Sequence, residues 1–320
     1  MADEAQFAVV VAGKVDETDD IVSFHLTAPD GGRLPAWTPG AHIDVRLPSG
    51  LVRQYSLNGD YRVATSYRIG VLNDPASRGG SVEMHRDIPV GSELHIRPPR
   101  NRFELELADR YLFIAGGIGI TPILPMIAQA EELGRPWRLV YGTRSRAAAA
   151  YTAELAARTG GHVLLVPQDE EGVIDLEQTL RQAGDALVYA CGPAGMLAAL
   201  EEKAEHLLGP GRLRVERFGS PPQEADAAER ENRPFVLELA RTGVTVTVPA
   251  DRTTLEVVLD HVPDHLYGCQ EGYCGTCIST VLAGVPEHRD SCLTGPEHAS
   301  NAMMTPCVSR ARSLRIVLDL

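Results

Sequence analysis

Lysine is nearly missing from this 320-residue chain: Lys14 and Lys203 are the only lysines among thirty Lys plus Arg, against 43 Asp plus Glu, giving a formal charge of −13. No basic run gathers anywhere, which excludes the electrostatic footprint of a nucleic-acid binder. Cysteine is also scarce. Six in a chain of this length are too few for a disulfide scaffold. No stretch approaches the roughly 18 apolar residues that a membrane span needs. The opening MADEAQFAVVVAGK is acidic where a secretory leader would be positive. The expectation is a soluble, cytoplasmic protein with no membrane partner, and a monomer. Apolar residues make up 44% of the chain, enough for two or three compact domains.

Three rhythms follow one another. Over residues 1–108 the pattern is short and alternating: His42, Asp44 and Arg46 interleave with Ile43, Val45 and Leu47, and turns fall at Pro48-Ser49-Gly50 and Asn58-Gly59-Asp60. Period-two patterning with frequent turns predicts an antiparallel β-barrel or sandwich. Over 109–218, apolar runs (Tyr111 to Ala115, Leu139 to Tyr141, Val163 to Val166, Leu187 to Ala190, Leu213 to Val215) alternate with helical stretches. That alternation predicts a doubly wound parallel α/β sheet. Residues 219–233, GSPPQEADAAERENR, have no hydrophobic period and read as a solvated linker. In 234–320 a hairpin, Phe235 to Ala240 with Val244 to Val248, precedes a helix from Thr253 to His261, and Leu314 to Leu320 suits a last strand.

All cysteines but Cys191 lie in that last segment, and "GCQEGYCGTC" holds three of them. The spacing Cys269-x4-Cys274-x2-Cys277, with Cys307 thirty positions on, is that of a plant-type 2Fe–2S site, in which two thiolates serve each iron. Structural zinc usually takes two close pairs or a pair with histidines, and no second pair is present. A set of inert thiols is the other alternative, and the clustering argues against it. Gly268, Gly272 and Gly275 let backbone N–H groups turn toward the sulfurs. Cys292 fits no ligand spacing and reads as a small packed hydrophobe.

This cysteine loop, with Glu287-His288-Arg289-Asp290 and the ending from Cys307-Val308-Ser309-Arg310 to Leu320, resembles the ferredoxin domain of the phthalate dioxygenase reductase and vanillate demethylase reductase family. The resemblance implies a C-terminal β-grasp ferredoxin domain, a flavin-binding barrel and a nicotinamide-binding α/β domain, with FMN as the flavin.

Two segments then resemble the family's flavin site. Arg53-Gln54-Tyr55-Ser56-Leu57 offers a guanidinium for phosphate, a phenol to lie along the ring and a hydroxyl at its edge. Gly70-Val71-Leu72, followed by Arg78-Gly79-Gly80-Ser81, offers free N–H groups at a helix start.

The nicotinamide segments come next. Gly116-Gly117-Ile118-Gly119-Ile120-Thr121-Pro122 follows a buried strand; Thr121 suits an N-cap and Pro122 the first helical position, a geometry that accepts a pyrophosphate. It resembles the family's GGIGITP, where the threonine approaches the nicotinamide. Cys191-Gly192-Pro193-Ala194-Gly195-Met196 ends a later strand, and ligands of open parallel sheets collect beyond such strand ends. By resemblance Cys191 lies near the hydride-bearing carbon. Tyr141-Gly142-Thr143-Arg144 resembles the family's adenosine-side segment, and the resemblance puts Asp169 nearby: a carboxylate there favours NADH, whereas Arg144 and Arg146 could attract the extra phosphate of NADPH. Phe218 matches the aromatic residue that similar reductases place over the flavin; otherwise it is a core phenylalanine ending a strand.

A hydride carries two electrons and a 2Fe–2S cluster accepts one, so a flavin between them reconciles the counts. The resemblance thus implies an NAD(P)H-dependent reductase component that delivers single electrons to a separate terminal oxygenase, of Rieske type, an O-demethylase or a cytochrome P450. Ser56, Thr121, Cys191 and Phe218 would line the transfer site. A plain electron carrier or metal-binding protein without NAD(P)H activity is the alternative, and the two glycine motifs speak against it.

Overall fold

A computed structural model describes residues 6–75, 77, 79–219 and 232–320, so Arg78 and most of the linker lie outside the described residues. The chain divides into two compact units, Met1–Glu216 and Arg217–Leu320.

The first unit begins with strands β1 (Phe7–Asp16), β2 (Ile21–Thr27), β3 (Ala41–Arg46), β4 (Val52–Ser56) and β5 (Ser66–Leu72), then helix α1 (Gly80–Asp87), β6 (Glu93–Ile96) and β7 (Arg100–Asn101). They pair antiparallel in the order β4-β3-β6-β1-β2-β5, with β7 on β3. An isolated bridge between Leu57 and Ile69 links the ends of this order. Alternate residues such as Val9, Val11, Phe24, Leu26, Ile43 and Val45 fill its core, as strand periodicity demands.

One part of the alternation misleads. His42 and Asp44, on the polar face of β3, are buried as well. Asp44 is held by Arg100 (2.6 Å), Arg97 (3.2 Å) and Gln54 Nε2 (2.9 Å), so its charge is compensated.

The same unit continues with β8 (Tyr111–Gly116), α2 (Ile120–Glu132), β9 (Trp137–Thr143), α3 (Thr152–Ala156), β10 (Gly161–Pro167), α4 (Gln168–Glu171), α5 (Leu176–Arg181), β11 (Leu187–Cys191), α6 (Ala194–Leu207) and β12 (Leu213–Glu216). All five strands are parallel, ordered β10-β9-β8-β11-β12. Helices cover both faces: α2 packs with Phe113, Tyr141 and Tyr189, and α5 with α6 over Ile114, Val140 and Val188. The order reverses between β8 and β11, and beyond their carboxyl ends a doubly wound sheet opens a ligand crevice.

The second unit holds β13 (Phe235–Leu239), β14 (Val244–Val248), α7 (Thr254–His261), β15 (Ser279–Ala283), β16 (Pro286–Glu287), α8 (Gly295–Ser300), β17 (Met303–Met304), β18 (Arg310–Ala311) and β19 (Arg315–Leu318). Its main sheet, β14-β13-β19-β15-β17, is mixed, with β13 and β19 parallel. Capping boxes Thr253/Glu256 and Thr294/Glu297 start α7 and α8. The buried face of α7 (Val257, Val258) closes the core with Leu237, Ile316 and Leu318.

Candidate functional site

The crevice of the parallel sheet is built by close approach of two glycine loops. After β8 the chain turns through Gly117–Gly119 as one 3-10 turn, with Gly117 at φ 52°, and enters α2. A Cβ on Gly119 would stand 2.2 Å from the Cys191 carbonyl oxygen, and one on Gly116 2.5 Å from Pro193 Cδ. Gly192 has Met196 Cε 2.5 Å from where its Cβ would be. Side chains are therefore excluded, and GGIG and CGPAGM share one crevice although the sequence separates them. No side chain caps the start of α2. The Ile120 N–H already donates to the Gly117 carbonyl and Pro122 carries no N–H, so an anion here would rely on the helix dipole and the remaining N–H groups of the turn.

The expected cap is corrected here. Gly119 is the N-cap, while Thr121 and Pro122 lie inside the first turn, because the glycines coil early and start the helix sooner. Thr121 Oγ1 donates to the Ile118 carbonyl (2.9 Å). Its methyl faces β5: a Cβ on Gly70 would lie 2.9 Å from Thr121 Cγ2, 2.3 Å from Tyr151 Oη and 3.1 Å from Asn58 Nδ2. Gly70 is thus the point at which the first sheet meets the crevice.

Both flavin-like segments converge as well. Gly79 adopts φ 87° as N-cap of α1, a conformation that suits glycine. A Cβ on Gly80 would stand 2.5 Å from Arg53 Nε and 2.6 Å from its Cγ, so the Arg53 side chain crosses the helix start. A guanidinium and the positive end of a helix then face one space, the donor set for a phosphate. Ser81 Oγ meets Ser77 Oγ (2.9 Å) and ties down the loop entering the helix. The Tyr55 hydroxyl is buried without a hydrogen-bond partner, and burial pushes its pKa well up. Val71 is buried and its carbonyl faces His85 Nε2 at 2.8 Å; Leu72 packs on the second core.

Ser56 and Cys191 meet a residue that the sequence motifs do not mark. Glu216, last in β12 beside Cys191, has an Oε2 shut from solvent without a hydrogen-bond partner, as is Ser56 Oγ. Burial pushes the Glu216 carboxyl up to about 8, against the pull of the Ser56 hydroxyl. Burial and then Glu216 raise the Cys191 thiol, so Cys191 stays a neutral thiol. The only sequence signal for Glu216 is an acid at the end of the short strand Leu213-Arg214-Val215. Its consequence for stability has a definite sign. An unfolded glutamate ionises near 4.5, while the folded one keeps its proton to about 8. Unfolding therefore releases a proton between those values, and stability falls as pH rises through that window. The Glu216→Gln variant should lose this component. Denaturation midpoints from pH 5 to 8 should drop less than in the parent; parallel curves would refute the assignment.

Tyr151, at φ 60° ahead of α3, ties the first sheet to the second. Its hydroxyl meets Asn58 Nδ2 (2.8 Å) and Ser23 Oγ (3.0 Å), and Arg68 lies over its ring at 5.2 Å while pairing with Glu154 at 2.8 Å. Tyr151→Phe leaves Asn58 Nδ2 without this acceptor, while Ser23 keeps Glu17, and should cost about 1–3 kcal/mol in urea denaturation. A loss below about 0.5 kcal/mol would mean that water replaces the hydroxyl.

On the opposite side of the crevice, Thr143 ends β9 with its hydroxyl on the Ser145 carbonyl (2.9 Å). Arg144 pairs with Asp20 (2.7 Å) and Arg146 with Glu170 (2.6 Å); Asp169 is exposed on α4. Both candidate phosphate-binding arginines are therefore matched by carboxylates.

In the second unit the cysteine loop wraps its own sulfurs. Gln270, Gly272 and Gly275 take φ 57°, 77° and 67°. These left-handed turns aim N–H groups inward: Glu271 N at Cys269 Sγ (3.3 Å), and Cys269 N and Thr276 N at Cys274 Sγ (3.4 Å each). The four thiols fall into two close pairs, Cys269 with Cys274 and Cys277 with Cys307. The Cys269 thiol and neighbouring N–H groups hold Cys274 down to about 6. Two thiol pairs with donors on the sulfurs are what a 2Fe–2S cluster requires. Cys292 stays outside, 3.6 Å from Asp290 Oδ2. Phe218 belongs to this unit and is 38% exposed, so it is not a core phenylalanine.

Two family models match the chain. A family model described as 2Fe-2S iron-sulfur cluster binding domain matches residues 237–312, and one described as oxidoreductase NAD-binding domain matches 113–202. The crevice and the cysteine loop thus define an NAD(P)H-dependent oxidoreductase that carries a 2Fe–2S cluster. The chain is 42% identical over 305 residues to phenoxybenzoate dioxygenase subunit beta of Ectopseudomonas oleovorans, covering 94% of this chain and 93% of that one. Among solved structures, phthalate dioxygenase reductase aligns with a TM-score of 0.72 at 34% identity, over 99% of this chain and 98% of that one. An intact type IV self-sufficient cytochrome P450 monooxygenase aligns at 0.86 and 39% identity, over 98% of this chain and 41% of that one. The chain belongs to the phthalate dioxygenase reductase family of oxygenase reductase components. Among the described residues no helix is long and apolar enough to cross a membrane.

Proposed function

We propose that this protein takes a hydride from NADH onto FMN and passes the electrons singly through its 2Fe–2S cluster to a separate terminal oxygenase. The observation that carries this reading is the pairing of four thiols in the second unit of a chain whose first unit ends two glycine loops in one crevice. When bound, the flavin supplies two-electron acceptance with one-electron release. This chain's residues position and shield it.

Arg53, Gly79, Gly80, Ser81 and the start of α1 hold the flavin phosphate, with Arg78 of the same segment as a further donor. FMN is favoured over FAD by the family resemblance alone, since the phosphate donors at Arg53 and Gly80 would serve either. Tyr55, Ser56 and the Gly70-Val71-Leu72 strand lie along the ring, and Gln54, engaged with Asp44, supports the strand from the other face. Gly116, Gly117, Gly119, Thr121 and Pro122 take the pyrophosphate; Cys191, Gly192, Pro193 and Met196 flank the nicotinamide. Ser56, Thr121 and Cys191 line the transfer site, and Glu216 stores one proton beside Ser56 up to about pH 8. Cys269, Cys274, Cys277 and Cys307 hold the cluster.

The domains are read as residues 1–108 for the flavin barrel, 109–218 for the α/β domain, 219–233 for the linker and 234–320 for the β-grasp ferredoxin. The Leu57–Ile69 bridge supports closure of the barrel. The chain acts as a cytoplasmic monomer.

NADH is favoured over NADPH because Arg144 and Arg146 are already paired. Glu170→Gln frees Arg146 and should raise kcat/KM for NADPH relative to NADH a few-fold, the scale of one exposed ion pair. An unchanged ratio would separate Arg146 from the adenosine ribose.

The partner is an oxygenase protein whose docking surface is basic, since residues 234–320 carry six Arg against ten Asp plus Glu. The test is NADH-driven reduction of cytochrome c, a one-electron acceptor. Activity that survives removal of the flavin, or its absence in protein containing both flavin and iron, would overturn the reading.

A further inference from the structure

In the second unit three metal-ligating side chains converge outside the cysteine set. His288 follows β16, His298 lies in α8, and Asp290 sits in the loop between them. His288 Nδ1 stands 3.7 Å from Asp290 Oδ1, and His298 Nε2 3.2 Å from Asp290 Oδ2. The two imidazoles face each other with centroids 4.5 Å apart, and one ligand atom from each of the three residues lies within 4.8 Å of the others. Four ligands about 2.0–2.1 Å from a zinc ion are separated by roughly 3.3–3.4 Å. Both imidazole-to-carboxylate distances stand near that spacing, and the 4.8 Å bound on the trio leaves only a small closure to reach it.

A second observation points the same way. Both ring nitrogens of His288 are shut from solvent and have no hydrogen-bond partner. A buried imidazole left unsatisfied at both ends costs stability and calls for an explanation. The Asp290 side chain is 0% exposed, and among the described residues its ion-pair partners are these two imidazoles, with no Lys or Arg. Burial alone would raise its pKa; Leu293 N–H at 3.0 Å and His298 bring it below the usual carboxylate range. A buried carboxylate flanked by two imidazoles, one of them without a hydrogen bond at either nitrogen, is a donor set for a cation. A single cation would satisfy all three groups.

We propose that His288, Asp290 and His298 form a binding site for one divalent first-row transition ion, separate from the four-cysteine cluster. Two imidazoles and a carboxylate suit zinc and its neighbours better than calcium or magnesium. His298, 33% exposed, leaves the open side for entry and for a water ligand. Ser309 Oγ, 3.4 Å from Asp290 Oδ1 and itself 3.0 Å from Thr305 Oγ1, orients the carboxylate from behind.

The ion would stiffen the cluster's surroundings. Ser291 N donates to the Gly272 carbonyl inside the cysteine loop (3.0 Å), and a Cβ on Gly272 would lie 3.1 Å from Asp290 Cα. Ser309 follows Cys307 by two residues. Occupancy of the site therefore braces both the loop and the segment that carries the fourth thiol.

Equilibrium dialysis of the intact protein against Zn2+ tests this, with iron and acid-labile sulfide measured to verify that the cysteines are occupied by cluster. The expected result is one tightly bound zinc per chain. His298→Gln should weaken it by about a hundredfold or more, since even residues behind a ligand are worth 10–100-fold. Asp290→Asn should do the same; if that variant fails to fold, the partly exposed His298 keeps the test decisive. Zinc should also slow thermal bleaching of the cluster in the parent and not in His298→Gln. Equal zinc binding by parent and His298→Gln, or no binding by either, would overturn the proposal and leave the trio as a hydrogen-bonded charge pair only. Neither readout depends on electron transfer, so the reductase reading stands or falls separately.

Discussion

Cys307→Ser should abolish cytochrome c reduction while leaving NADH able to bleach the flavin. Cys307 closes the second thiol pair with Cys277 and comes from a segment thirty positions after the loop. A serine hydroxyl is a hard, weakly acidic donor, poorly matched to ferric iron bridged by sulfide. The loss should exceed the roughly 10–100-fold typical for residues behind a ligand. Stopped-flow absorbance of the flavin with NADH should stay within a few-fold of the parent, because Cys307 and the crevice belong to different units. Equal loss of flavin bleaching and cytochrome c reduction would mean that the substitution unfolds the chain or that the two sites are not sequential.

The second large effect is expected at Gly119→Ala. Its Cβ would lie 2.2 Å from the Cys191 backbone oxygen, 2.5 Å from the Cys191 carbonyl carbon and 2.7 Å from Gly192 N. Backbone cannot swing aside as a flexible side chain can, so the two loops must part. Displacing a reacting group by about 1 Å can cost on the order of a hundredfold in rate. Single-turnover flavin reduction should fall by about that factor, with flavin content unchanged, since the phosphate cradle at Arg53 and Gly80 lies on other elements. Normal reduction would mean that the nicotinamide does not enter between these loops. Gly195, by contrast, has nothing within 4 Å, and its alanine variant serves as control.

Several features were legible in the sequence because they are local. The cysteine spacing encodes one loop whose left-handed turns at Gly272 and Gly275 are glycine-specific. The strand ends carrying Thr143 and Cys191 follow from continuous apolar runs that only a doubly covered sheet can bury. What escaped depends on long-range approach. Glu216 acquires its shifted pKa from burial beside Ser56, 160 positions earlier in the chain. Tyr151 reads as one more apolar residue after four alanines, yet its hydroxyl joins Ser23 and Asn58. Asp44 reads as an outward strand residue until Arg97, just past β6, and Arg100 of β7 arrive to cover it. The start of α2 was misplaced by two residues because N-cap preference favours threonine, whereas the steric demand of Cys191 requires glycine there.

Anaerobic titration with NADH, followed by absorbance and by electron paramagnetic resonance, tests the central claim most directly. One flavin and one cluster together hold three electrons, so full reduction should take about one and a half NADH per chain. The predicted result is loss of both chromophores with growth of the signal of a reduced 2Fe–2S cluster. Flavin bleaching that stops at one NADH with no paramagnetic cluster signal, or no bleaching at all, would contradict a path from nicotinamide through flavin to the cysteine loop.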